Sequence, residues 1–238
     1  MPTPRPSGPR SARPVPAGPV NPLPPAVLGL AVLIFGVEVM FNLAERGILG
    51  GGGGFGWRTA AIRDYAFFGE LAQWMVANGA APPDLLVRFV TYSLLHLSLT
   101  HAIFVCVFIL AMGKMVGEAL GNVAVLAIFF GASVGGALVY GLMLDERFPL
   151  VGGFPGVYGL IGGYTFLMWV QAQALKQSQL MAFRLVAILL AIQLVFGLIF
   201  GTRNDWVADI AGFATGFGLS FAFVPGGWAR LRAALRRR

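Results

Sequence analysis

Residues 122–144 read NVAVLAIFFGASVGGALVYGLML, twenty-three residues without one charge. About 20 mostly apolar residues make a helix long enough to cross the hydrocarbon of a bilayer. The stretch therefore predicts a spanning helix. Its neighbours repeat the pattern: Ser98–Leu120 precedes it, and Phe154–Ala172, Met181–Gly201 and Trp206–Val224 follow. Upstream, Ala26–Leu43 is interrupted only by Glu38, an intramembrane acid with no partner legible in the sequence. The composition agrees, because 57% of the 238 residues are hydrophobic, only 11% are charged, and the mean hydropathy is +0.77. A water-facing domain carries about a quarter charged residues, so a soluble globule is excluded. The expected class is an all-α integral membrane protein of six spans, residues 26–225, with both termini on one side.

Charge indicates which side. With six spans, one set of segments holds Arg5, Arg10, Arg13, Lys114, Lys176, Arg184, Arg230, Arg232, Arg236, Arg237 and Arg238 against a single acid, Glu118. The opposite set holds Arg46, Arg58, Arg63, Arg88, Arg147 and Arg203 against Glu45, Asp64, Glu70, Asp84, Asp145, Glu146 and Asp205. The positive-inside rule places both termini in the cytoplasm, in the plasma (bacterial inner) membrane. The net charge of +7 thus points to anionic lipid and not to nucleic acid. Residues 1–25, rich in Pro and Arg, read as a disordered tail. Residues 226–238 read as a basic tail on the same face. One cysteine and two histidines support neither a disulfide framework nor a metal site, and no cofactor is expected. Cys106 reads as a small buried hydrophobe.

The first external loop, about Ala44 to Leu97, is long and amphipathic. After the run Gly50–Gly54 comes WRTAAIRDYAFFGELAQWMVANG, residues 57–79, in which Ile62, Ala66, Phe67, Leu71 and Trp74 recur at helical spacing. Such a face suits the headgroup region of the membrane. The spans are rich in small residues: Ala208-x-x-x-Gly212-x-x-x-Gly216, Gly131 to Gly136, and Gly156 to Gly163. Small residues every fourth position let helix backbones approach closely in lipid. Ser133, in GASVG, imitates a nucleophile motif, but it sits mid-helix where no strand-to-helix elbow exists, so packing is its expected role. His96 and His101 are expected to hydrogen-bond and so anchor the first loop.

Several of these motifs occur together in one order. Arg88, then TYSLLHLSLTH at 91–101, Gly113 to Glu118, GGFPGVYGLIG at 152–162 and WVADIAGFATG at 206–216 resemble the rhomboid family of intramembrane serine proteases over roughly residues 89–225. The resemblance implies a six-helix bundle with a long first external loop. It also implies a serine at the start of span four, a histidine base on span six, and a histidine and asparagine that hold the oxyanion. Residue by residue, this chain departs from that pattern. Phe154, or Pro155 with a one-residue gap, stands at the serine position, Asp209 at the base, and Val105 at the asparagine. Val87 replaces a tryptophan beside Arg88, while His101 matches the oxyanion histidine.

A nucleophile and a base lost together cost many powers of ten in rate. The expectation is thus a pseudoprotease with no catalytic residues. Inactive rhomboid-like proteins such as the iRhoms and derlins act as adaptors, which implies transmembrane segments of client proteins as partners. The vestigial cavity would comprise His101, Gly153, Phe154, Tyr158 and Asp209, with Asp209 within reach of His101 or Tyr158. An acid in a spanning segment faces the bundle interior or a wet cavity. Two alternatives stand beside this reading: an active intramembrane endopeptidase with an unrecognised nucleophile, and a structural subunit of a larger membrane complex.

Overall fold

The structure is a computed structural model that describes residues 22–200 and 204–224. Nearly all of the N-terminal tail and all of the basic C-terminal tail read from the sequence lie outside the described residues. Six long helices follow the six apolar stretches: α1 (Pro25–Glu45), α6 (Leu99–Leu120), α7 (Asn122–Met143), α8 (Phe154–Ala174), α9 (Arg184–Phe200) and α10 (Trp206–Phe223). Four of them, α1, α6, α7 and α10, are long and apolar enough on their own to cross a membrane. The other two differ for physical reasons. Helix α8 packs against α6, α7 and α10 and is buried without a break from Pro155 to Gly163, so it meets protein where the others meet lipid and can carry glycine and polar residues. Helix α9, at 17 residues, is the shortest of the six, because its approach, Gln179–Phe183, coils as a 3-10 helix.

Local chemistry sets the helix ends. Pro25 opens α1 at a position where its missing N–H costs nothing. Ser98 caps α6 by accepting from the His101 backbone N–H at 3.2 Å, satisfying one of the orphan donors of the first turn. Gly121, at φ +89°, makes the one-residue reversal between α6 and α7.

The first loop does not form the continuous amphipathic helix that its spacing predicts. It divides into a 3-10 helix (Gly51–Gly56), α2 (Trp57–Tyr65), α3 (Gly69–Asn78), α4 (Pro83–Leu86) and α5 (Arg88–Thr91). The break falls at Phe67, which exchanges backbone hydrogen bonds with Leu150 in an isolated antiparallel bridge, 2.8 and 3.3 Å long. Its ring is fully buried, 4.7 Å from Phe89 and 6.2 Å from Tyr92. Burying that ring and satisfying those backbone groups outweigh the one or two helical hydrogen bonds lost. Trp74 is left exposed, as are Trp57, Phe55, Ile48 and Val76 elsewhere in the first loop. These exposed large side chains suit an apolar surrounding.

The core of the described residues falls into three clusters, the smallest of them Phe41, Ala66, Leu95 and Val151. Val27, Leu30, Ile34, Ile109, Ile128 and Leu160 fill the centre between α1, α6, α7 and α8. Phe67, Tyr92, Tyr140 and Leu150 form a second cluster under the first loop. The small-residue stripes lie where helices cross: a Cβ at Gly212 would collide with the Pro155 carbonyl, one at Gly216 with the Gly159 carbonyl, and one at Gly136 would come within 2.7 Å of the Ala208 carbonyl.

Candidate functional site at the head of helix α8

The segment Gly152-Gly153-Phe154-Pro155 enters the bundle between the first loop and α10. Gly152 has φ +112° and lies so close to His101 that a Cβ there would approach its Cε1 within 2.5 Å. Only glycine meets both conditions. The Gly152 N–H donates to the Tyr92 carbonyl at 3.0 Å, and the Gly153 N–H donates to His96 Nε2 at 3.3 Å. The Phe154 ring stacks on His101, centroids 5.2 Å apart and planes 19° apart, and His96 meets His101 edge-on at 4.9 Å. A wall of three rings, His96, His101 and Phe154, thus closes one side of the site. Burial first, and the neighbouring His101 second, lower the His96 pKa to about 3, so its imidazole is neutral at physiological pH. That state suits its role as an acceptor.

Pro155 faces the other way. Its carbonyl lies against Gly212 and its ring against Gly136, at the crossing of α8 with α10 and α7. One turn further along α10 from Asp205 sits Asp209, 4% exposed. Its Oδ2 accepts from Gln193 Nε2 at 2.9 Å, and Gln193 Oε1 accepts from the Tyr158 hydroxyl at 3.0 Å. A single glutamine therefore ties α8, α9 and α10 together through a chain of hydrogen bonds. Tyr92 completes this neighbourhood. Its hydroxyl donates to the Ser133 carbonyl at 2.8 Å, and burial, with the nearby Asp209 as the second cause, pushes its phenol well above the ordinary range.

The five residues expected to share one cavity thus fall into two groups. His101, Gly153 and Phe154 come together on the first-loop side, and Tyr158 and Asp209 on the α9–α10 side. Asp209 reaches Tyr158 through Gln193 and not directly. Gln193 is not singled out in the sequence, being a neutral residue in an apolar helix; the one signal it offers is that a polar side chain inside a predicted span is a cue to look for a partner. The hydroxyls near the site serve the backbone: Ser133 Oγ donates to the Phe129 carbonyl at 2.9 Å, and Ser93 Oγ to Val90 at 2.7 Å. Cys106 is buried with its thiol 3.6 Å from the Ala31 carbonyl.

Glu38 has a partner after all. Arg58 folds back from α2, and its Nη1 and Nη2 hold the two carboxylate oxygens at 2.8 and 3.0 Å, the bidentate geometry that suits this pair. The same guanidinium reaches Glu45 at 2.6 Å and the His96 carbonyl at 2.6 Å. Asn42 donates to Glu38 Oε1 at 2.7 Å. Burial alone would lower the Arg58 pKa, but the bonds to Glu38 and Glu45 hold it above its usual value. This network joins the first loop to α1 and to the residue whose ring receives Gly153. Arg88 adds a second tie, donating to the Arg63 and Ala66 carbonyls at 2.9 and 3.2 Å.

Helices of this length and apolarity define an integral membrane protein, and its site is built where the first loop meets the heads of α6, α8 and α10. The chain matches the rhomboid domain over residues 83–226, well over half of its length, and it belongs to the rhomboid family, whose typical members are serine intramembrane proteases. No curated protein matches it.

Proposed function

We propose that this rhomboid-family protein is a pseudoprotease that binds transmembrane segments of other membrane proteins without cutting them, as an adaptor or chaperone. The observation that carries the reading is that Asp209, and Phe154 or Pro155, stand at the positions where the resemblance places the histidine base and the serine. Pro155, packed towards α10 against Gly136 and Gly212, occupies the place that suits a nucleophile facing span six. It has no group to activate, and a carboxylate base is useless without one. What remains is a buried carboxylate whose hydrogen-bond partner, Gln193, can be exchanged for a donor on an incoming helix. A client helix with a polar or cationic residue gains more from such a partner than from lipid. His101, Gly153 and Phe154 would form the floor of that binding site and Tyr158 and Asp209 its polar edge. Residues 26–225 make up the membrane domain, with both tails in the cytoplasm of a bacterial cell.

The test uses the full chain in vesicles. Incubation with a serine-reactive fluorophosphonate and with a helical membrane substrate is expected to give neither labelling nor cleavage. A photocrosslinker at Tyr158 is expected to capture a model helix that carries an Asn or Arg at mid-span over an all-Leu helix, and Asp209→Leu to abolish that preference. Labelling, cleavage or indifference to the polar residue overturns the reading.

A further inference from the structure

Two clefts flank the far end of α8. The first, about 510 Å³, lies between α8 and the turn leading into α9, and its mouth carries Gln177, Ser178 and Arg184. The second, about 410 Å³, lies towards α6 and is bounded by Met115, Glu118 and Leu167. Both share Tyr164, Met168 and Gln171. These three residues, spaced i, i+4 and i+7, lie on one face of α8 and form a ridge between two lobes. Each lobe falls within the range of about 300–1,000 Å³ usual for small-ligand sites.

The place and the charges narrow the occupant. Helix α8 ends at Ala174, the chain turns at Lys176, and α6 ends at Leu120, so the clefts open where the bundle meets the headgroup region. The first lobe has one charged lining residue, Arg184, and no acid, with Lys176 in the adjoining turn. The one acid of the second lobe, Glu118, is paired to Lys114 at 3.8 Å. Leu175, Met181 and Ile188 stand exposed around the first mouth. A docked helix, about 10–12 Å across, calls for one continuous trough, whereas two lobes parted by a ridge suit two thinner chains. We propose that this is a binding site for one anionic glycerophospholipid. Its phosphate is held by Arg184 with Gln177 and Ser178, and its acyl chains lie either side of Met168. Guanidinium–phosphate pairing gives the fixed, charge-assisted contact that bulk surface lipid lacks.

Native mass spectrometry of the full chain, delipidated in mild detergent and titrated with phosphatidylglycerol, tests the assignment. One lipid is expected to bind ahead of all others, and more tightly than phosphatidylcholine. Arg184→Ala, an exposed position, is expected to weaken that first event about tenfold, or about 1.4 kcal/mol, while Arg184→Lys keeps it within a few-fold. Met168→Trp, which thickens the ridge, is expected to weaken binding of both lipids alike. If Arg184→Ala leaves the first affinity unchanged, or if several lipids bind equally and weakly, the protein holds ordinary surrounding lipid only and the site is not there.

Discussion

Glu38 is 1% exposed in a long apolar helix, and its charge is tolerable because Arg58 grips both oxygens and Asn42 donates to one of them. Arg58→Ala strips that partner and leaves a buried carboxylate, which costs about 3–5 kcal/mol. Denaturation in mixed micelles should show a large loss of stability, and Arg58→Met with Glu38→Gln should recover much of it. His96 supplies a second residue-scale prediction. Its folded-state pKa, about 3, lies below the ~6.5 of an unfolded imidazole, so the unfolded chain takes up a proton that the folded chain refuses. Stability is therefore complete above pH ~6.5 and declines as the pH falls towards 3, by at most ~1.4 kcal/mol per pH unit. Protonation would also place a donor against the Gly153 N–H. Between pH 7 and 4 the wild-type melting temperature should fall more steeply than that of His96→Asn, since the carboxylates titrate in both. Parallel slopes would show that the imidazole does not carry this penalty. Neither Arg58 nor Gln193 stands out in the sequence, because each acts only once another element folds against it. Arg58 lies 20 positions from Glu38 and Gln193 lies 16 from Asp209, and nothing in hydropathy encodes such pairings. Asp209, by contrast, was legible alone, since any acid in a span demands an explanation.

At the scale of elements, the crossing of α8 with α10 is held by absence of side chain. A Cβ at Gly216 would strike the Gly159 backbone, which cannot move aside as a flexible side chain can, while one at Gly218 would meet nothing within 4 Å. Gly216→Val should thus destabilise by at least the ~1–3 kcal/mol of an overpacked core. Gly218→Val, two residues along the same helix, should change the melting temperature little. Equal losses would mean that helix propensity, and not the crossing, sets the cost. This stripe was readable in advance because small residues at every fourth position have few uses in lipid other than close approach. The first loop was not so readable. Its apolar residues at 62, 66, 67, 71 and 74 fit one helical face, but the spacing does not distinguish a ring that lies in the membrane surface from one that is swallowed by the bundle. Phe67 is swallowed and Trp74 is not, and the bridge to Leu150, 83 residues away, decides it. The site inherits this ambiguity: the bridge at Leu150 and the Tyr92 carbonyl, together with His96, hold the approach to α8 at residues 150–153.

For the molecule as a whole, hydropathy identified the long helices and their order, and charge supplies an orientation that geometry alone leaves symmetric. A helical bundle fits a bilayer either way up, and only the distribution of Lys and Arg across its connections distinguishes the two. Lys114, Lys176 and Arg184 lie at the end of the bundle where α6 and α8 finish, whereas the first loop and the head of α8 lie at the other. The proposed orientation requires the first loop to face outward. The single cysteine makes this measurable with little background, since Cys106 is buried against the Ala31 carbonyl. Gly52 and Gln177 are both exposed, and Gly52 has no atom within 4 Å of an added Cβ. In intact cells, a membrane-impermeant maleimide should label Gly52→Cys and spare Gln177→Cys, and opening the cells should make the second reactive. The opposite pattern would invert the protein and put the Asp209 site on the cytoplasmic face. It would also move the Arg184 clefts to the outer leaflet, away from the cytoplasmic leaflet's negative surface potential. The two proposed sites therefore stand at opposite membrane surfaces in either case, and one labelling experiment assigns both.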